Sequence, residues 1–163
     1  MMDIEVELVE ALKARALRLV CAESCTAGLV AAALARVPGA SAVLWGAFVC
    51  YTLDAKEKML GLRKTLLECF GAVSGETACA MAEAALEKSD ADIAVSVTGL
   101  AGPDGDGSEN PVGTVWVGFC KRGGKPEAKH YHFTGTREEI RHAACNAALE
   151  MLLLKVDGDE EGG

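Results

Sequence analysis

Residues 17–37, LRLVCAESCTAGLVAAALARV, contain the pattern that decides the fold class: a short apolar run, a polar turn and an apolar, alanine-rich segment. The run at 17–22 predicts a short buried strand, and residues 26–37 predict a helix. The turn at 23–28 would then lie at the carboxyl edge of a sheet, where open α/β sheets bind their ligands.

Strand and helix patterns alternate along the first two thirds of the chain. Residues 4–15 place apolar side chains on one stripe of an opening helix, and residues 43–53, VLWGAFVCYTL, are apolar on both faces of the pleat. That second pattern predicts a central strand covered on both sides. A short helix begins at Asp54, and a second apolar segment runs to Phe70.

A long alanine-rich helix follows, opened by Ser74 and Thr77 and ending near Ser89, and residues 92–100 predict the next strand. Residues 101–110 are rich in Gly, Asp and Pro, which indicates a loop of functional size.

The last third of the chain predicts an antiparallel hairpin and a terminal helix. Strands at 113–120 and 128–133 are joined across Gly123 and Gly124, and Thr136 with Glu139 forms a capping box for a helix to about Lys155. Together these elements predict an α/β sandwich with a mixed sheet of about five strands.

Length and composition favour one domain at residues 1–155 followed by a disordered acidic tail at 156–163. The chain has 163 residues, half of them hydrophobic, and carries 16 basic against 24 acidic residues for a net charge of -8. Because no basic stripe is present, nucleic acid is not an expected partner. Since no apolar run reaches the roughly 18 residues of a membrane span, we expect a cytoplasmic protein that does not bind membranes.

Seven cysteines are scattered along the chain, with no C-x-x-C pair. This spacing argues against a zinc site and against a secreted disulfide framework, and favours small buried thiols in a reducing compartment. The stretch from Asp104 begins like a calcium loop, but Glu109 replaces its glycine and Val115 its final ligand. His130 and His132 alternate on a strand without an obvious third ligand, so no metal or other cofactor is expected.

Two polar turns are candidate ligand sites. In the turn at 23–28, Ser24 and Thr26 precede a helix, whose N-terminal N–H groups favour a phosphate or a developing oxyanion, although both residues are also ordinary helix caps. Cys25 could act as a nucleophile, but no basic residue lies near it in sequence. Thr98 and Gly99 end a strand in a similar way, and the glycine allows close approach of the backbone to a ligand.

Lys56 is the most informative charged residue. It follows the predicted N-cap Asp54 by two positions, and the helix dipole disfavours a cation there. Burial behind a strand would lower the pKa of this amine further, so that it could take a proton from a hydroxyl. The alternative is a solvated lysine beside Glu57 and Lys58. Arg137 and Arg141 share one face of the last helix and could clamp a phosphate, or could pair with surface acids.

Six sequence blocks, in order, resemble the CinA C-terminal domain family, which includes stand-alone nicotinamide mononucleotide deamidases of the PncC type. The resemblance extends from about residue 7 to 154. The blocks are AESCTAG (22–28), PGAS (38–41), FVCYTLDAK (48–56), GAVS (71–74), VTGLAGPD (97–104) and PVGTVW (111–116).

The resemblance implies a three-layer α/β/α sandwich that hydrolyses nicotinamide mononucleotide to nicotinate mononucleotide and ammonia without a metal, in pyridine nucleotide salvage. A homodimer is usual for the family. The alternative is a catalytically inactive nucleotide-binding or regulatory module of the same fold.

Carried over onto this chain, the resemblance implies a Ser-Lys dyad of Ser41 and Lys56, with Tyr51 as a supporting hydroxyl and Ser24 as a second active-site serine. In this assignment Lys56 deprotonates Ser41, and an equal rate for the parent and a Ser41→Ala variant would point to Ser24 instead. The remaining positions are assigned to substrate binding: Thr26, Thr98, Gly99, and Arg141 at the phosphate with Arg137 as its substitute.

The chain departs from the usual family pattern at several positions, two of which bear on the ligand. Ala27 stands where a glycine is common, and Leu53 replaces an amide-bearing residue. Both changes bear on substrate preference more than on fold.

Overall fold

The computed structural model describes residues 2–158, which form three layers with a five-stranded mixed sheet in the middle. The strands are β1 (Leu19–Glu23), β2 (Leu44–Val49), β3 (Ile93–Gly99), β4 (Thr114–Lys121) and β5 (Glu127–His132). The helices are α1 (Ile4–Ala14), α2 (Leu29–Ala35), α3 (Leu53–Leu60), α4 (Lys64–Phe70), α5 (Gly75–Glu87) and α6 (Arg137–Gly158). The predicted α/β/α architecture is confirmed.

The sheet has the order β2-β1-β3-β4-β5. β1 pairs in parallel with β2 and with β3, whereas β3–β4 and β4–β5 are antiparallel. The predicted hairpin is therefore confirmed. The carboxyl ends of the three parallel strands lie along one edge, which brings together the segments that follow them.

The prediction of β2 as a central strand is wrong. β2 is an edge strand, and its side chains are half-buried or exposed, whereas all five residues of β1 are buried. Apolar residues on both pleat faces are shared by central strands and by an edge strand whose end borders a site, so the pattern alone could not separate the two.

Successive side chains of the central strands supply two separate cores. Leu19 and Cys21 of β1 face α1, α2 and α6, whereas Val20 and Ala22 face α3, α4 and α5. On β4, Gly118 leaves room for α5, because a Cβ at this position would overlap Ser96 Oγ and lie 2.6 Å from Ala78 O. The sheet thus has helices packed against both faces.

Two helix starts follow the sequence signals. Ser74 Oγ accepts a hydrogen bond from Thr77 N at 3.1 Å, and the capping box of α6 joins Thr136 N to Glu139 Oε1 and Glu139 N to Thr136 Oγ1.

The prediction of a disordered tail is wrong for residues 156–158, because α6 continues through Gly158. The rest of the predicted tail, 159–163, lies outside the described residues. Within residues 2–158, no helix combines the length and apolarity that a membrane span needs.

Candidate active site

Ser24 follows the carboxyl end of β1 at the centre of the sheet edge. Its backbone N–H donates to Val97 O of β3 at 2.9 Å, and only 6% of the residue is exposed. Because β1 is held between β2 and β3, the position of the Ser24 backbone is fixed by the sheet itself.

Lys56 reaches Ser24 from the first turns of α3. Lys56 Nζ donates to Ser24 Oγ at 2.8 Å, to Cys50 O at 2.9 Å and to Tyr51 O at 3.3 Å, and the residue is 1% exposed. Burial lowers the pKa of the Lys56 amine from its ordinary 10.5. A buried amine without a neighbouring acid gains access to its neutral form, in which it is a base.

The N-cap of α3 is Thr52 rather than Asp54. Thr52 Oγ1 accepts from Ala55 N at 3.0 Å, while Asp54 lies in the first turn and pairs with Lys58 at 3.2 Å. Lys56 is therefore one turn into the helix, and burial is the main cause of its pKa shift.

The expected contact between Lys56 and Ser41 is wrong. Ser41 is exposed in the 3₁₀ turn Ala40–Ala42, before the amino end of β2, whereas Lys56 follows its carboxyl end. A six-residue strand spans roughly 20 Å. Ser41 lines a different cavity, with Pro38 and Trp45. Within one chain, the serine that Lys56 reaches is Ser24.

A cavity of about 360 Å³ opens over the Ser24–Lys56 pair. This volume lies in the range of small-molecule sites, roughly 300–1,000 Å³. Besides the pair, its walls contain Tyr51, Thr98, Gly99 and Arg137, which the sequence analysis had singled out. The loop after β3 completes the wall with Leu100, Ala101, Gly102, Asp104, Gly105 and Asp106.

Arg137 contributes a guanidinium group to the wall of this cavity. Its Nη2 donates to Tyr51 Oη at 2.5 Å and its Nη1 to Gly102 O at 2.6 Å, so it joins the segment after β2 to the loop after β3. Arg137 and Tyr51 are both exposed, which leaves this end of the cavity open to a ligand from solvent.

Arg141 does not line the cavity. Its Nε donates to Cys25 O at 2.9 Å and its Nη2 to Thr26 O at 3.2 Å, which places the guanidinium on the backbone of the turn. Two of its five N–H groups are thus bonded to these carbonyls, and Arg141 is not among the residues that line the cavity, so the structure does not support its assignment to a substrate phosphate. Arg137, the substitute, is the one in the cavity.

Thr26 is likewise turned away from the cavity, and its partner is a residue that the sequence analysis missed. Thr26 Oγ1 donates to Glu23 Oε1 at 2.7 Å, and the same carboxylate accepts the N–H groups of Gly28, Val30 and Ala31 at 2.9–3.2 Å. Both Thr26 and Glu23 are fully buried. An acid directly before a Ser/Thr turn was the available signal for this cap.

Thr98 lines the cavity, but its hydroxyl is bonded to the wall. Thr98 Oγ1 donates to Ala72 O at 2.7 Å, and Asn110 Nδ2 donates to Val73 O at 3.1 Å. These two bonds fix the segment before α5 against the end of β3 and the end of the long loop.

Cys25 is poorly suited to be a nucleophile. Burial raises the pKa of its thiol to about 11, so the thiolate is disfavoured at neutral pH. His130, one of the two histidines considered as metal ligands, packs its ring against Trp116 with 4.9 Å between the ring centroids. Among residues 2–158, no three His, Cys, Asp or Glu side chains are grouped as a metal ion would require.

Comparison with known sequences gives one consistent result. A family model described as the CinA C-terminal domain matches residues 1–156. The nicotinamide-nucleotide amidohydrolase PncC of Enterobacter agglomerans is 43% identical over 151 residues, and that of Escherichia coli K12 is 41% identical over 152; each match covers 93% of this chain and 92% of the relative. A longer CinA-like protein of Leptospira biflexa is 43% identical over 136 residues, and the match covers 83% of this chain but 33% of that protein.

Solved structures agree with the sequence matches. The crystal structure of the competence/damage inducible protein CihA from Agrobacterium tumefaciens has a TM-score of 0.88 at 42% identity, over 96% of this chain and 97% of that one. A CinA superfamily protein from Klebsiella pneumoniae has a TM-score of 0.92 at 34% identity, over 95% and 96% of the two chains.

Proposed function

The chain belongs to the CinA C-terminal domain family, and we propose that it hydrolyses the carboxamide of nicotinamide mononucleotide to the carboxylate, releasing ammonia. Relatives that match it over nine tenths of both chains are named nicotinamide-nucleotide amidohydrolases. The observation that carries the proposal is the buried Lys56 Nζ, 2.8 Å from Ser24 Oγ, at a cavity of substrate size.

The contacts of Lys56 favour proton transfer from Ser24. The carbonyl oxygens of Cys50 and Tyr51 can only accept hydrogen bonds, so they take two N–H groups of the amine. In the neutral form the remaining lone pair faces Ser24 Oγ. Lys56 is then the general base that takes the serine proton as the oxygen attacks the amide carbon.

Attack on the amide produces an oxyanion that needs donors. The Ser24 carbonyl accepts from Ala27 N at 3.0 Å inside the turn. Because C=O and N–H of a trans peptide point in opposite directions, the Cys25 N–H points out of the turn. This N–H belongs to Cys25, which lines the cavity. We propose this N–H as an oxyanion donor, typically worth about 10²–10³ in kcat.

Two further steps complete the reaction: release of ammonia from the intermediate and hydrolysis of the resulting ester. The C–N bond breaks as Lys56 returns its proton to the nitrogen, so ammonia leaves and an ester on Ser24 remains. Water attacks this ester, giving up one proton to Lys56, and the C–O bond to Ser24 breaks as that proton returns to the serine oxygen. The products are the carboxylate and the free enzyme.

Charges along the cavity fit the two ends of this substrate. Arg137 supplies a cation for the phosphate, and Asp104 and Asp106 supply anions for the pyridinium ring. Hydrogen bonds from Ser108 lower the pKa of Asp106, which keeps that carboxylate ionised. The proposed pose places the phosphate at the exposed Arg137 and the carboxamide at the buried pair.

We also propose a cytoplasmic homodimer. All seven cysteines are free thiols, which suits a reducing compartment. Val49, Leu53, Met59 and Phe70 are 40–51% exposed, and burial of such side chains against a second copy would favour a dimer. Light scattering on the purified protein at micromolar concentration should give twice the mass of the chain; the mass of a single chain would contradict the dimer.

The test of the activity is ammonia release from nicotinamide mononucleotide, with the carboxylate product identified by mass. Ser24→Ala and Lys56→Met should each lower kcat by at least about 10³-fold, because the nucleophile or its base is lost. Ser41→Ala is the matched control and should keep the parent rate. All variants should be compared at equal folded concentration.

Two outcomes would contradict the proposal in different ways. Loss of activity in Ser41→Ala with retention in Ser24→Ala would restore Ser41 as the nucleophile. Tight nucleotide binding by the parent without ammonia release would instead indicate a binding or regulatory module.

A further inference from the structure

Arg141 contacts the turn that carries Ser24 without reaching the cavity. Its guanidinium donates to the carbonyl oxygens of Cys25 and Thr26, across more than a hundred residues of sequence. α6 is the longest helix, and its buried face packs into the core formed with α1 and α2. α6 therefore holds the Cys25–Thr26 and Thr26–Ala27 peptide groups, the second and third after the serine.

The Glu23 carboxylate binds N–H groups of the residues that follow Ser24. The fully buried carboxylate accepts from the hydroxyl of Thr26 and from the backbone N–H groups of Gly28, Val30 and Ala31. Ser24 thus lies in a turn whose carbonyl groups bond to a cation, while an anion binds the end of the turn and the first N–H groups of α2.

We infer that Arg141 and Glu23 are positioning residues that set the orientation of Ser24 and of the peptide groups beside it. The inference rests on the proposed function for its kinetic consequence. Because Arg141 binds the Cys25 carbonyl, the N–H of Thr26 in the same trans peptide group is held in the opposite direction and polarised. Loss of these bonds would let the Ser24 oxygen move relative to Lys56.

The expected kinetic signature separates positioning from phosphate binding. Arg141→Met should lower kcat by about 10–10²-fold with KM little changed, since a displacement near 1 Å can cost about 10²-fold. The loss should be equal for nicotinamide mononucleotide and for nicotinamide riboside, which lacks the phosphate. Arg137→Met should behave differently and raise KM for the nucleotide only. Arg36→Met, at an exposed position, is the control for removal of a guanidinium.

Conservative replacement supplies a second readout. Arg141→Lys keeps one cationic donor for the two carbonyls and should recover part of kcat, whereas a role in stability alone would change the thermal midpoint and leave kcat at low temperature intact. Glu23→Gln keeps one carboxamide oxygen for three of the four donors and should likewise lose less kcat than Glu23→Ala.

A fluorophosphonate probe tests the inference without the proposed substrate. The Ser24 oxygen forms a P–O bond, the P–F bond breaks, fluoride leaves and the serine proton passes to Lys56. The labelling rate of Ser24, followed by peptide mass, should fall about 10-fold or more in Arg141→Met, also if the parent releases no ammonia. Unchanged labelling, or a KM increase confined to the nucleotide, would overturn the inference.

Discussion

Replacement of Glu23 by alanine should destabilise the protein more than any exposed acid could. The carboxylate is fully buried and accepts four hydrogen bonds, three from the backbone at the start of α2 and one from Thr26. Alanine leaves all four donors without their acceptor and leaves a void where the carboxylate lay.

The magnitude follows from the number of orphaned donors. A buried unsatisfied group costs about 1–3 kcal/mol, and partial hydration through the nearby cavity offsets some of this, so we expect a loss of about 3–5 kcal/mol. For a chain of this size each kcal/mol lowers the thermal midpoint by about 2–4 °C, which gives a decrease of roughly 6–20 °C. Glu23→Gln should cost about 1–3 kcal/mol, since its NH₂ group would face the Ala31 N–H.

Urea unfolding followed by circular dichroism measures this loss directly. Glu138→Ala is a suitable control, because Glu138 is exposed on α6, with its Oε1 3.7 Å from His142 Nε2. A Glu23→Ala variant within about 1 kcal/mol of this control would refute the interpretation of the carboxylate as the cap of α2.

Three further predictions concern the base, the phosphate end and the packing of the sheet. First, kcat/KM should fall as the pH is lowered through the pKa of Lys56, because the charged amine cannot accept a proton. Burial places this limb below 10.5, and a kcat/KM that does not fall at any pH down to the acid unfolding of the protein would contradict it. Second, Arg137→Met should raise KM for the nucleotide about 10-fold with a smaller change in kcat, measured by initial rates; an unchanged KM would remove Arg137 from the phosphate site. Third, Gly118→Ala should lower the free energy of unfolding by about 1–3 kcal/mol, measured by thermal unfolding, because the added Cβ would overlap Ser96 Oγ. The control Gly46→Ala, whose Cβ would have nothing within 4 Å, should lower it far less. Equal losses in the two variants would contradict the packing argument.

The sequence pattern was sufficient for most of the fold because local signals agree with the tertiary structure. Apolar runs, caps and glycine turns predicted the five strands and every helix except α4 to within a few residues, and the capping box at Thr136 lies where expected. For α4 the pattern indicated only an apolar segment that runs to Phe70. The order of the strands in the sheet could not be predicted in this way. The edge position of β2 depends on pairing between distant segments, which residues 43–53 do not encode by themselves.

The site was only partly predictable for the same reason. Lys56, Ser24 and Tyr51 carry local signals, but which serine the amine meets depends on the direction of β2, since Ser41 precedes that strand and Ser24 lies beside its far end. The carbonyl partners of Lys56 and Arg141 are backbone atoms, so no side-chain motif could reveal them. Helical spacing placed Arg137 and Arg141 on one face of α6. They lie one helical turn apart, yet Arg137 lines the cavity whereas Arg141 binds the backbone of residues 25 and 26.

The most direct test is the titration of Lys56 itself, followed by the ¹³Cε chemical shift of labelled lysines in the free protein. Lys56 should titrate clearly below the ordinary lysine value of 10.5, and Lys56→Met should remove that resonance. A Lys56 resonance that titrates together with the exposed lysines would show that the amine beside Ser24 stays charged, and would contradict its role as the base.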